Sequence, residues 1–301
     1  MSLDKNKRVI IVAGPTAVGK TAVAIQLARH FQAEIISADS RQCYKELNIG
    51  VARPSPNELE QVKHHFIASH SILDDVNAAT FEKYALQKAE ELFQNCHTVV
   101  MVGGTGLYIR AFCEGLDEIP AVKMEIRNEI SSTYERKGLA WLQEEIRQKD
   151  PEFYKVGEIQ NPQRIMRALE VVASTGQSVL HFRKGRRVER DFSLLKIGLE
   201  LPKENLHGNI NDRVDKMIGL GLVNEVKDLQ QYSHLNALQT VGYSEIFEFL
   251  DNKISLEKAV NNIKTNTRQY AKRQMTWFKK DKEVKWFQPA QLREMLMNIE
   301  A

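Results

Sequence analysis

Arg8-Val9-Ile10-Ile11-Val12-Ala13-Gly14-Pro15-Thr16-Ala17-Val18-Gly19-Lys20-Thr21 is the stretch on which the fold turns. Arg8 to Ala13 is a short apolar run, consistent with a buried strand. The turn from Gly14 to Thr21 fits G-x-x-x-x-G-K-[ST], and Ala22, Val23, Ile25, Leu27 and Ala28 then follow helical spacing. Strand, glycine turn and helix in that order are the setting of a phosphate-binding P-loop. Its glycines let the backbone N–H groups wrap around phosphate oxygens. Lys20 adds a point charge, and the Thr21 hydroxyl can sit on Mg²⁺. A plain glycine-rich turn with a surface lysine is the competing reading, and both the pattern and its flanks speak against it.

Working outward, Ala33-Glu34-Ile35-Ile36 is a second short run, ending at Ala38-Asp39-Ser40. A helix over roughly residues 81–93 precedes a third run, Thr98-Val99-Val100-Met101-Val102, which ends in Gly103-Gly104-Thr105-Gly106. Strands alternating with helices predict an α/β fold, a P-loop NTPase-like parallel sheet flanked by helices. Ligands of such sheets bind outside the carboxyl ends of the strands, where the segments beginning at Gly14, Asp39 and Gly103 all lie. Residues 116–190 read as almost wholly helical and highly charged, and Arg190 to Leu199 as a return to a strand. The expected organisation is therefore a core of residues 1–115 and 191–301 with a mainly helical insertion domain at 116–190.

The chain has 301 residues, 43% hydrophobic and 27% charged, and a formal net charge of +3. That balance permits a nucleic-acid partner without arguing for one. Cys43, Cys96 and Cys113 have neither C-x-x-C spacing nor an even count, so no disulfide framework or zinc site is indicated. No run approaches membrane-spanning length, and a monomer in the reducing cytoplasm is expected.

The P-loop alone does not name the reaction, because phosphoryl transfer is only its commonest use. The third run ends in Gly103-Gly104-Thr105, where an NTPase would usually place an Asp for Mg²⁺. The carboxylate comes earlier, at Asp39. Asp39 or Ser40 caps a following helix, or Asp39 is a general base beside the phosphate site. Thr105 has the same two readings, cap or site residue.

Positive charge gathers near the end of the chain. Leu256, Val260, Ile263, Thr267, Tyr270, Ala271, Gln274, Trp277 and Phe278 follow helical spacing and should face protein, behind Ser255 as N-cap. Lys264, Arg268 and Lys272 form an i, i+4, i+8 stripe beside that face, and Arg273, Lys279, Lys280, Lys282 and Lys285 extend it. The stripe is either a surface for a phosphate backbone or a solvated face. A second basic element, with Gln163, Arg164 and Arg167, sits on a helix that Asn161 can cap and Gly176 can end.

With these motifs in hand, the sequence resembles the bacterial tRNA dimethylallyltransferases, or isopentenyl-tRNA transferases, over nearly its whole length. The resemblance rests on the P-loop, Ser37-Ala38-Asp39-Ser40-Arg41-Gln42, Val102-Gly103-Gly104-Thr105-Gly106-Leu107-Tyr108, Arg167-Ala168-Leu169-Glu170-Val171, Val241-Gly242-Tyr243 and residues 267–278, Thr-Arg-Gln-Tyr-Ala-Lys-Arg-Gln-Met-Thr-Trp-Phe. It implies prenyl transfer from dimethylallyl diphosphate to N6 of the adenosine 3′ of a tRNA anticodon. The P-loop (Gly14, Pro15, Thr16, Ala17, Val18, Gly19, Lys20, Thr21) would then hold a departing diphosphate with Mg²⁺. Asp39 would be the base, with Thr105 at the target nucleotide and Arg213 at the diphosphate.

The resemblance further implies contacts with the tRNA anticodon stem-loop from Asp39, Ser40, Arg41, Gln42, Thr105, Arg127, Gln163, Arg164, Ile165, Met166 and Arg167. A later group comprises Gln239, Thr240, Val241, Gly242, Tyr243 and Ser244, and a last one Lys272, Arg273, Gln274, Met275, Thr276, Trp277, Phe278 and Lys279. The target base would be extruded from its loop between two lobes. Val18 stands where the family's loop commonly has a hydroxyl residue, and Asn48 and Val51 where Asp and Thr are usual. No Cys/His-rich tail follows the basic helix, so the bacterial form is expected. Two rivals remain from the residues alone: a P-loop kinase whose insertion is a substrate lid, and an RNA-binding protein with a relic or regulatory P-loop.

Overall fold

A computed structural model describes residues 7–185 and 187–300. It divides into two compact units, residues 1–114 with 189–301, and residues 115–188. In the first unit, β1 (Arg8–Ala13), α1 (Lys20–His30), β2 (Ile35–Ser37), α2 (Pro56–Gln61), β3 (His64–His65), α3 (Ala78–Leu92), β4 (Thr98–Gly103) and α4 (Gly106–Glu114) come in order. The second unit holds α5 (Met124–Lys149), α6 (Pro151–Val156), α7 (Pro162–Thr175) and α8 (Val179–Phe182). The chain then returns as β5 (Ser193–Leu199), α9 (Lys203–Gly219), α10 (Leu222–Asp228), α11 (Tyr243–Leu250), α12 (Leu256–Phe278), β6 (Lys285–Phe287) and α13 (Leu292–Glu300).

The sheet is parallel throughout, in the order β3-β2-β4-β1-β5-β6. β1 pairs Ile10 with Val100 on one side and Leu195 on the other, and Val9 to Ala13 are all buried. An apolar run with no polar alternation is what a strand covered by helices on both faces requires. One cluster joins Val9, Ile11, Val99 and Met101 to α3, α4 and α10–α12, while Ile10, Val12, Val100 and Ile197 pack with α1, α9 and α13.

The short edge strands β3 and β6, with two and three residues, carry too little periodicity to be read from sequence. In the second unit, α5 bends at Gly138, whose φ of 73° is open to a residue without Cβ. Asn161 caps α7 through its side chain and Gly176 ends it in the left-handed region, as expected. Leu142, Ile146, Phe153, Ile165, Leu169 and Val179 form that unit's own core.

The glycines after β4 do more than turn the chain. A Cβ on Gly103 would lie 2.1 Å from the Ala38 carbonyl oxygen, so only hydrogen allows the carboxyl ends of β2 and β4 to meet this closely. Backbone bonds lock the meeting, from Ala38 N to Val102 O at 2.7 Å and from Thr105 N to Ala38 O at 3.2 Å. Gly103→Ala is expected to lower stability by about 1–3 kcal/mol through overpacking. Urea denaturation reads the change, and an unmoved midpoint would mean that the two strand ends relax freely.

Candidate active site

The P-loop closes around Lys20. Gly19, with φ of 100°, precedes α1, whose first turn has no acidic residue and no side-chain cap. The first N–H groups of the helix are therefore open to an anion. Lys20 donates from Nζ to the Pro15 carbonyl across the loop at 2.7 Å. Burial, with the Arg213 charge adding to it and Asp39 opposing, drives the Lys20 ammonium down to about 7. Arg213 is pushed down in the same way, chiefly by desolvation. Two partly buried cations, with Asp39 acting on both and Glu58 on Arg213, form a site that a multivalent anion would relieve.

α9 organises this site with three of its faces. Leu206, Ile210 and Val214 are buried in the core. Asn209 and Arg213, spaced i, i+4, reach the P-loop: Asn209 Nδ2 donates to the Ala17 carbonyl at 3.1 Å and Arg213 Nη1 to the Thr16 hydroxyl at 3.0 Å. Ala17 has φ of 64°, a left-handed conformation costly for alanine, and the Asn209 bond helps hold it. On the third face, Asp215 pairs with Lys264 at 2.6 Å and Asn211 Oδ1 accepts from Arg268 at 2.6 Å. This corrects the basic stripe read from sequence. Lys264 and Arg268 bind α9 to α12, and among the described residues only Lys272 of the three is left exposed without a side-chain partner.

Asp39 caps no helix, because residues 40–43 form turns and Tyr44 then makes an isolated bridge to His70. Its Oδ1 accepts from Arg41 N at 2.9 Å and Gln42 N at 3.2 Å, while Oδ2 has no hydrogen bond among the described residues. The Thr105 hydroxyl accepts from Ser40 N at 3.0 Å and donates to the Ser40 hydroxyl at 3.3 Å. Thr105 thereby ties the end of β4 to the Asp39 turn. The Gln42 amide donates to the Val51 and Ala52 carbonyls, and Glu225 accepts from Ile49 N, Gly50 N and the Tyr243 hydroxyl, so residues 49–52 are held from both sides. Asn48 and Val51 enter this network through their carbonyls, which any side chain would leave in place.

Two cavities meet at Asp39. The first, 640 Å³, is lined by Thr16, Lys20, Thr21, Arg53, His64 and Arg213, among others. The second, 530 Å³, is lined by Ser40, Arg41, Gln239 to Gly242, Ser244 and Arg273. Thr16, Asp39, Val51, Ala52, Arg213, Met217 and Tyr270 border both. The junction has a charged side, with Asp39 and Arg213, and an apolar side of Val51, Ala52, Met217 and the Tyr270 ring.

Several expected RNA contacts have no free side chain. Ile165, Tyr243, Gln274 and Phe278 are buried and face core or loops instead. Gln274 donates to the Gly104 carbonyl at 2.9 Å and accepts from Thr16 N at 2.8 Å. Conversely Tyr270 and Trp277, expected to face protein, are each 37% exposed. Thr276, Lys272 and Arg273 are exposed on α12, and Met275 is half-buried. Lys279 is also exposed but pairs with Glu200 at 2.7 Å. In the second unit, Gln163 is exposed and Met166 half-buried. There Arg127 and Arg167 lie 3.7 and 3.1 Å from the Glu170 carboxylate, and Arg164 pairs with Glu158. Asn209, Glu225 and the positioning part of Gln274 were not legible in the sequence. The only signal for Asn209 was its i, i+4 spacing from Arg213.

A parallel α/β sheet with this loop, and with glycines at the β4 end, defines a P-loop protein. The chain belongs to the IPP transferase family, whose model matches residues 42–281. The tRNA dimethylallyltransferase of Christiangramia forsetii is 49% identical over 279 residues, 93% of this chain and 92% of that protein. That of Cytophaga hutchinsonii is 45% identical over 296 residues, 98% of this chain and 97% of its own. The solved full-length tRNA isopentenylpyrophosphate transferase from Bacillus halodurans is similar with a TM-score of 0.71 and 33% identity, over 98% of this chain and 96% of that one.

The Lys20 ammonium should titrate near pH 7 in the free protein, far below an ordinary lysine. Because a bound anion favours the charged form, diphosphate should move that midpoint upward. Competitive acylation of Lys20 against pH reads both, and a midpoint near 10 without ligand would refute the burial argument.

Proposed function

We propose that this protein transfers the dimethylallyl group of dimethylallyl diphosphate to N6 of the adenosine 3′-adjacent to a tRNA anticodon, releasing diphosphate. The observation that carries the reading is Asp39, whose unpaired Oδ2 belongs to a residue bordering both cavities. The cavity with Lys20, Thr21 and Arg213 suits the diphosphate, and the one with Arg41 and Arg273 suits the nucleotide. Val51, Ala52, Met217 and Tyr270 offer the five-carbon tail an apolar wall between them.

Chemically, the C1–O bond of the allylic ester breaks and its electron pair leaves with the diphosphate oxygen. The N6 lone pair forms the new bond to C1, and the N6 proton passes to Asp39. The adenine amino group is a weak nucleophile because its lone pair is delocalised into the ring, so a base acting as the bond forms lowers the barrier. Lys20, Arg213 and the α1 N–H groups stabilise charge growing on the leaving group. Among the described residues no group of three or more His, Cys, Asp or Glu could hold a metal alone. Thr21, which lines the first cavity, would help to hold a Mg²⁺ that accompanies the diphosphate, and the ion would supply charge neutralisation there. Among the described residues, no helix is long and apolar enough to cross a membrane.

For tRNA, Lys272, Arg273 and Thr276 are the exposed α12 residues best suited to phosphates, with Gln239 and Thr240 at the second cavity. A kinase reading would put a phosphoryl acceptor in that cavity. Incubation with tRNA, Mg²⁺ and either dimethylallyl diphosphate or ATP decides between them by nucleoside mass spectrometry. A prenylated adenosine is expected, and ATP turnover with no adduct would sink the proposal. Asp39→Ala should lower turnover by about 10² or more while tRNA affinity stays nearly unchanged. Replacing both Lys272 and Arg273 by Ala should weaken tRNA binding and reduce the slope of log K against log salt by about 1–2. An unchanged slope would return these side chains to the solvated surface.

A further inference from the structure

Gln274 lies on α12 between Ala271 and Phe278 on the buried face, and is itself 6% exposed. Its amide is fully directional. The Nε2 group donates to the Gly104 carbonyl and Oε1 accepts the Thr16 N–H, so one side chain spans the β4 turn and the P-loop. Thr16 in turn holds Arg213 through its hydroxyl. The Thr16 N–H needs a partner when buried, and the glutamine supplies it without competing for the phosphate-facing end of α1. Gly104 is shaped for this contact, since a Cβ there would lie 2.2 Å from Gln274 Nε2. Its φ is not in the left-handed region, and the other atoms near that Cβ are at ordinary or slightly tight distances, so the amide alone excludes a side chain.

We propose that Gln274 is a positioning residue for the diphosphate site, which sets Thr16 and through it Arg213, and is not a contact for RNA. The assignment rests on the function proposed above for its link to catalysis, but its effect on diphosphate binding does not. An amide is required at this position because it must donate on one side and accept on the other. A carboxylate of the same size would face the Gly104 carbonyl oxygen with a second acceptor and bring negative charge to an anion site.

The test uses the whole protein and two ligands measured separately, inorganic diphosphate with Mg²⁺ by calorimetry and unmodified tRNA by filter binding. Gln274→Ala should weaken diphosphate binding about tenfold, the worth of one buried hydrogen bond, and raise KM for dimethylallyl diphosphate in step. The tRNA Kd should stay within about twofold of wild type, as no RNA contact is lost. Gln274→Glu should bind diphosphate no better than Gln274→Ala. Gly104→Ala should reproduce the Gln274→Ala defect by displacing the amide. The double variant should be no worse than Gln274→Ala alone, because the shortened side chain leaves room for the new Cβ.

Loss of tRNA affinity with unchanged diphosphate binding would overturn the assignment. So would a double variant whose defect is the product of the two single ones. If wild type forms no prenylated adenosine, the transferase reading fails, yet the calorimetric arms still decide the position of Gln274.

Discussion

The structure depends on holding two partly desolvated cations, Lys20 and Arg213, together at the carboxyl end of β1. Burial brings Lys20 down to about 7 and lowers Arg213, and Asp39 is the carboxylate that opposes both shifts. Such a site is unfavourable when empty, and its cost must be met by packing around it. β1, buried from Val9 to Ala13, and the closely joined ends of β2 and β4 provide that frame. The open N-terminus of α1 then adds its dipole to the same point.

Two helices distant in sequence from the loop complete the site. α9 supplies Asn209 and Arg213, and α12 supplies Gln274. Their mutual polar pairs, Lys264 with Asp215 and Arg268 with Asn211, keep the two helices in register. Gly104 and Gly106 let α12 approach the β4 turn, since a Cβ on either would meet Gln274 or Trp277 at 2.2 Å. The P-loop is therefore held by residues 192 to 258 positions away.

This division explains which expectations held. The strands at 8–13 and 98–103 were readable because an unbroken apolar run between turn signals has few other solutions. The helix at 162–175 was readable from Asn161, Pro162 and Gly176. For α12, periodicity located the helix and placed Ile263, Ala271 and Phe278 inside correctly. It could not say that Gln274 is buried for its hydrogen bonds, or that Tyr270 and Trp277 remain part-exposed. Helical spacing identifies a face, and the neighbours of that face come from other parts of the chain.

By itself the sequence determined the parallel α/β class, the phosphate loop and the segments that carry Asp39 and Thr105. These are local matters of periodicity, turn chemistry and motif spacing, which a single stretch of chain encodes. Only the tertiary structure decided what the charges and amides do. Whether a cation of the basic stripe faces solvent or a carboxylate, as Lys264 of α12 meets Asp215 of α9, depends on which group folding brings within about 4 Å. The P-loop was legible from its own eight residues, but the bonds that shape it come from Asn209, Arg213 and Gln274, and no local rule links them.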